Sequence, residues 1–212
     1  MDNEKYGKLV SSLIAAWFVF ALSAAALHLF QTAPNNPPLM FGLAVLVPLI
    51  VFLLWFRLST GFRQFVLSLN PRTLTMIQSW RVAGFVFLAL YTYSILPGSL
   101  ALPAGWGDIA IGVTAPLASM KLADSAHRKG FIAWQMLGML DLAMAIAMGT
   151  MSRIVNPHGI STEPMTVLPL SLIPTFAVPL LFMLHIICIA QAKLWHETQS
   201  VHSGEPLPNA VA

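Results

Sequence analysis

Four ionisable side chains stand inside long apolar runs of this sequence: Arg81, Asp108, Asp141 and His185. Charged groups in hydrocarbon are costly, so they pair with one another or face water, and they mark ion and proton pathways, substrate sites or catalytic centres. Arg81 can hold an anionic group or balance a carboxylate, and it keeps its own charge throughout. Two carboxylates set against one guanidinium leave one carboxylate without a counter-charge. In a dry site that carboxylate is expected to keep a proton and to exchange it. An imidazole titrates near neutrality, which makes His185 the expected relay.

The residues around these four share their helix faces. Residues three and four apart lie on one side of a helix, which groups Asp108 with Gly105, Gly112, Ala115 and Ser119, and Asp141 with Gly138, Ala145 and Gly149. Small side chains let helices approach closely. Gln78 lies one turn below Arg81, with Gly84 and Phe85 one turn above. Trp134 is near the angular position of Asp141 and is the expected wall of a cavity, whereas Trp80 and Trp106 adjoin Arg81 and Asp108 in sequence but point about 100° away. The candidate substrate or proton site is therefore Arg81, Asp108, Asp141, His185, Gln78 and Trp134. No residue is assigned a catalytic role.

The elements that must carry these residues are apolar runs at 9–30, 39–57, 74–96, 102–120, 131–151 and 168–192. Each is close to the roughly 20 residues needed to cross a bilayer core, and lipid leaves a spanning backbone no choice but helix. The expected fold is all-α, a polytopic bundle of six transmembrane helices forming one domain over 1–195, followed by a polar tail at 196–212 that is expected to be disordered. A composition 57% apolar and 9% charged excludes a water-soluble fold. The first run, Leu9 to Phe30, is longer than the apolar region of a signal peptide and is read as a retained anchor.

Orientation follows from the basic residues. With the N-terminus inside, Lys5, Lys8, Arg57, Arg63, Arg72, Lys121, Arg128, Lys129 and Lys193 fall on the cytoplasmic side, and Arg153 alone falls outside. Both termini are then cytoplasmic, and the chain has the look of a small bacterial inner-membrane protein. Counting from the cytoplasmic ends of the spans, Arg81 lies roughly 12 Å deep, His185 roughly 11 Å, Asp141 roughly 15 Å and Asp108 roughly 18 Å. One layer near mid-membrane thus receives all four, and the simplest assembly packs spans three to six around it with the first two outside. Pro174 and Pro179 are expected to kink or interrupt the last span above His185. Residues 58–72 suit either a short amphipathic helix on the inner surface or an ordinary loop. Tyr6, Trp17, Trp55 and Trp195 are expected as an interfacial belt or lipid-facing bulk.

Several classes are disfavoured. The basic residues are scattered, so nucleic acid is not expected as a partner. His28 and His185 differ in depth, which argues against a shared haem, and a metal at His185, Asp108 and Asp141 would require Arg81 to stand aside. His158 belongs to a turn, His196 and His202 to the tail, and the lone Cys188 to the core. No Walker loop, dinucleotide fingerprint or HExxH is present, and no cofactor or metal is expected.

Gly105-Trp-Gly-Asp108 resembles the GxGD tetrapeptide of intramembrane aspartyl proteases, with Asp141 available as the second carboxylate. The resemblance covers four residues, and the order differs, since in those proteases the GxGD aspartate follows its partner. It implies two carboxylates activating a water. The leading expectation is a proton-coupled carrier or permeation protein. The alternatives are a membrane-embedded enzyme acting on a lipid or peptide with the same carboxylates as general acid and base, and a non-catalytic subunit of a membrane complex. Expected partners are the lipid bilayer, a small molecule or lipid, and a second copy or a membrane partner subunit.

Overall fold

The computed structural model describes residues 3–31, 39–155 and 159–202. Among them there is no strand, and six helices are long and apolar enough to cross a membrane: Glu4–Ala26, Leu39–Leu58, Pro71–Thr92, Gly98–Lys121, Arg128–Ser152 and Ile173–Trp195. They coincide with the six apolar runs of the sequence, with ends shifted by a few residues.

Helix α1 (Asn3–Ala26) and helix α2 (Leu39–Leu58) lie at the periphery. Only Val45 and Phe52 of α2 are buried, so its apolar surface points almost wholly outward. A short amphipathic helix, α3 (Thr60–Leu67), follows α2; the Ser59 hydroxyl caps it by accepting from the amide of Phe62 at 3.2 Å. Its apolar face, Phe62, Phe65 and Val66, is buried against protein. Residues 60–67 of the segment 58–72 are thus helical, and their apolar side docks on the bundle. The side-chain amide of Gln191 fastens this helix by donating to the carbonyls of Val66, Leu67 and Leu69 at and just beyond its C-terminal end.

That docking changes the aromatic assignment. Trp55 stacks on Phe62 at 3.9 Å, Tyr6 on Phe65 at 5.8 Å, Trp195 packs on Phe131 at 5.3 Å and Trp17 on Phe176 at 4.8 Å. These rings, expected as an interfacial belt or lipid-facing bulk, are half-buried on other aromatic side chains, supplied by the short helix, the last span and, for Trp195, the fifth span.

The third span is built in three parts. Asn70 caps α4 (Pro71–Ile77) by accepting from the amide of Arg72 at 2.9 Å, and Pro71 sits at the first helical position, where no amide donor is missed. A seven-residue 3₁₀ stretch, Gln78–Gly84, follows, and α5 (Phe85–Thr92) completes the span. Helix α6 (Gly98–Lys121) is central, with the third span on one side and α7 (Arg128–Val155) on the other. Asp124, in the connection, accepts from the backbone amide of His127 at 2.8 Å and also meets its ring. These bonds, the backbone one first, hold the Asp124 carboxyl below its ordinary value.

The last span opens with a π-helical turn, Ile173–Ala177, and continues as α8 (Val178–His202). Pro174 lies in this turn and Pro179 two residues beyond it, as expected of two missing amide donors. The span begins at 173 and not at 168, since residues 168–171 form turns. The helix also runs to His202, into the segment read as a disordered tail; residues 203–212, the connection 32–38 and His158 lie outside the described residues. Spans three to six form the core. An apolar cluster around Phe62, Phe131 and Ile187 lies at one end and another around Phe87, Leu96 and Leu100 at the other, and the ionisable layer is held between them.

Candidate functional site

A 3₁₀ helix has three residues per turn, so positions three apart stack in one row. Gln78, Arg81 and Gly84 form such a row and are all buried, with Arg81 3% exposed. Phe85, which an α-helix would set near that face, points outward, as does Trp80 at 76% exposure. The row meets α6 at glycines. A methyl on Gly84 would overlap the Cβ of Asp108, and one on Gly112 would overlap the backbone amide of Val82. Close backbone approach here is what brings Asp108 to Arg81.

Glycine on the other side of α6 does the same for α7. A methyl on Gly107 would occupy the position of the Asp141 carboxylate, and one on Gly138 the position of the His185 ring. The glycines of Gly105-Trp-Gly-Asp108 are therefore accounted for by packing: Gly105 faces Leu88 and the carbonyl of Gly84, while Gly107 admits Asp141. Trp106 between them is 62% exposed and faces away.

The result is one guanidinium bonded on all three nitrogens. Nε donates to Asp108 Oδ1 at 2.7 Å, Nη2 donates to Asp141 Oδ2, and Nη1 donates to the carbonyl of Gly138 at 3.2 Å and lies 3.4 Å from His185 Nε2. Arg81 pairs with both carboxylates, where the charge count from sequence allotted it one. The side chains of Asp108 and Asp141 retain 18% and 16% exposure.

Around this centre lies a layer of uncharged polar groups. His185 Nδ1 is hydrogen-bonded to Gln135 Oε1, Gln135 Nε2 donates to Thr75 Oγ1 at 3.0 Å, and Thr75 Oγ1 lies 3.8 Å from Cys188 Sγ. Trp134 packs beside this layer: it is 9% exposed, its ring is 5.9 Å from that of His185, and its indole donates to Thr114 at 3.0 Å. Gln78 is buried beside Arg81 but donates to the carbonyl of Leu181 at 3.2 Å, on the last span. Sequence reasoning missed Gln135 and Thr75. The available signal was the period-three row Thr75, Gln78, Arg81, Gly84, polar or small at every step of an apolar span. Among the described residues no group of three or more His, Cys, Asp or Glu is placed to hold a metal ion. The guanidinium stands among the candidates.

Fold and site together define a small helical protein with six apolar, span-length helices, built around a buried carboxylate–guanidinium–carboxylate centre. Residues 38–192 match the family described as Domain of unknown function (DUF8737), and the chain belongs to that family. The match takes in the second to sixth helices and every member of the centre. No curated protein and no solved structure matches the chain.

Proposed function

We propose that this protein is a proton-exchanging carrier or permeation protein of a bacterial inner membrane, with both termini in the cytoplasm. The observation that carries the reading is that Asp108 and Asp141 are bonded to the same guanidinium through Nε and Nη2. If both carboxylates were ionised, the centre would hold one more negative charge than positive. Like charges set this close disfavour that state, so one carboxylate keeps a proton that it can exchange.

The same geometry bears on the cargo. Every nitrogen of Arg81 is already bonded to protein, and of its five N–H groups only the second on Nη2 lies outside those bonds, which does not make a two-donor fork for an anionic substrate. Arg81 therefore serves as counter-ion to the carboxylates, and the species that suits the excess negative charge is a proton or a small cation competing with Arg81. Free space exists nearby: Ala145, one turn along α7 from Asp141, borders an apolar cavity of about 90 Å³ that Phe87, Leu100 and Pro174 also line. An aspartyl-protease reading needs both carboxylates free to act on one water, and their shared guanidinium does not favour it. The orientation rests on the distribution of Lys and Arg between alternate connections.

The test is proton flux. Purified protein is reconstituted into liposomes enclosing a pH-sensitive dye, and a pH gradient is imposed. The wild type should dissipate the gradient faster than protein-free liposomes, with Asp108→Asn and Asp141→Asn returned to the background rate. Wild-type flux at background with and without added small cations would overturn the reading.

A further inference from the structure

We propose that a one-way chain of hydrogen bonds holds His185 with its ring proton on Nδ1, that His185 is a positioning residue for the Arg81 guanidinium, and that Asp108 and Asp141 are the groups of the centre that take up and release a proton. The last clause rests on the function proposed above, whereas the first two stand on geometry alone.

The direction of the chain is set at its first link. Arginine has donors and no acceptor, so a ring nitrogen facing it can only accept. His185 Nε2 faces Arg81 Nη1 at 3.4 Å. A proton on Nε2 would set donor against donor, and a doubly protonated ring would set cation against cation. The neutral ring therefore carries its hydrogen on Nδ1, which faces Gln135. Of the two ends of that amide, only the oxygen can accept it. The amide nitrogen is thereby turned towards Thr75 Oγ1, at 3.0 Å, and the Thr75 hydroxyl has its own hydrogen left for Cys188 Sγ, at 3.8 Å. Donors run one way from Arg81 through His185, Gln135 and Thr75 to Cys188. His185, Gln135 and Thr75 are 0% exposed and Cys188 is 1% exposed, so bulk solvent does not reach the chain.

The positioning role follows from where the ring sits. Gly138 lacks the side chain that would collide with it, and its carbonyl accepts from the same Nη1. His185 and Gly138 thus hold the Nη1 side of the guanidinium, and the Nε and Nη2 donors are left to the carboxylates. With both ring nitrogens engaged, His185 has no site at which to receive a proton until Arg81 moves. The relay expected from sequence is replaced by a brace.

The experiment is nitrogen NMR of the full chain labelled with ¹⁵N-histidine, in lipid bilayers at neutral pH. The His185 signals are assigned by their loss in His185→Asn. If that variant fails to fold, they are assigned in a variant carrying asparagine at His28, His127, His158, His196 and His202. The expected result is a protonated Nδ1 and an unprotonated Nε2. Gln135→Leu, which leaves Arg81 facing Nε2, should keep the Nδ1–H ring with the Nδ1 signal shifted by loss of its acceptor, and Gln135→Glu, which keeps an acceptor oxygen, should reverse that shift. A wild-type ring protonated on Nε2, or on both nitrogens, overturns the proposal. An Nδ1–H ring with proton flux untouched by Asp108→Asn and Asp141→Asn would uphold the brace and overturn the assignment of proton exchange to the carboxylates.

Discussion

Arg81 is bonded through Nε, Nη1 and Nη2 to groups on α6, α7 and α8, and this limits what can replace it. Lysine brings one ammonium on a flexible stem and cannot hold two carboxylates and a ring in a fixed fork. Removing the cation of a buried pair typically costs about 3–5 kcal/mol. Arg81→Met is expected to lower stability by an amount of that order, with Arg81→Lys in between, as read by thermal unfolding in detergent. The glycines permit a sharper contrast. Gly107→Ala drives a methyl into the Asp141 carboxylate and should cost about 1–3 kcal/mol, whereas Gly42→Ala meets nothing within 4 Å and should be neutral or stabilising by up to about 1 kcal/mol. Equal unfolding temperatures for the two variants would contradict the packing described here.

At the same scale, the legible residues were those whose type is anomalous in an apolar run. Arg81, Asp108, Asp141 and His185 stand out because a charge in an apolar run demands a partner, and the structure joins them. Gln135 and Thr75 gave no such alarm, since an uncharged polar side chain in a span is cheap. Their meaning comes from a partner on another helix. Gln78 was legible as a neighbour of Arg81 but not as a bond to Leu181, whose carbonyl comes from a span far along the chain.

Helical type is where element-scale reading from sequence stopped short. In an α-helix each three-residue step falls about 60° short of a full turn, so Gln78, Arg81 and Gly84 would drift around the axis. The 3₁₀ stretch keeps them in one row and turns Phe85 outward. Composition alone does not distinguish the two helices, because the choice is made by the close glycine contacts with α6. The π turn at Ile173–Ala177 was closer to legible, since Pro174 and Pro179 announce an interruption. The connection between α6 and α7 offers a test of local stability. Asp124 has its carboxyl lowered by the His127 amide, so the folded connection is favoured while Asp124 is ionised. That contribution is fully present above the ordinary carboxylate range and is lost as pH falls through the lower folded value. The protection factor of the His127 amide against exchange should fall on acidification in the wild type and show no such acid step in Asp124→Asn.

At the scale of the whole molecule, the six span-length helices among the described residues and the peripheral place of the first two were both readable, because the ionisable and small residues fall in the last four while α2 offers an almost wholly apolar surface. The packing of α3 and the aromatic rings was not, since it depends on which helix ends meet. The proposed orientation puts Ser94 and Lys121, at successive connections, on opposite sides of the membrane. Cys188 is buried, so added cysteines can be read against a low background. Ser94→Cys should react with an impermeant maleimide from outside the cell, and Lys121→Cys only after the membrane is opened. The reverse pattern would invert the topology.

The central claim is that one carboxylate of the Asp108–Arg81–Asp141 centre keeps an exchangeable proton, and infrared spectroscopy of the protein in bilayers at neutral pH tests it most directly. The prediction is a carbonyl band of a protonated carboxylic acid in the wild type that disappears in Asp108→Asn or in Asp141→Asn. A wild-type spectrum without that band, or a band unchanged in both variants, would contradict it.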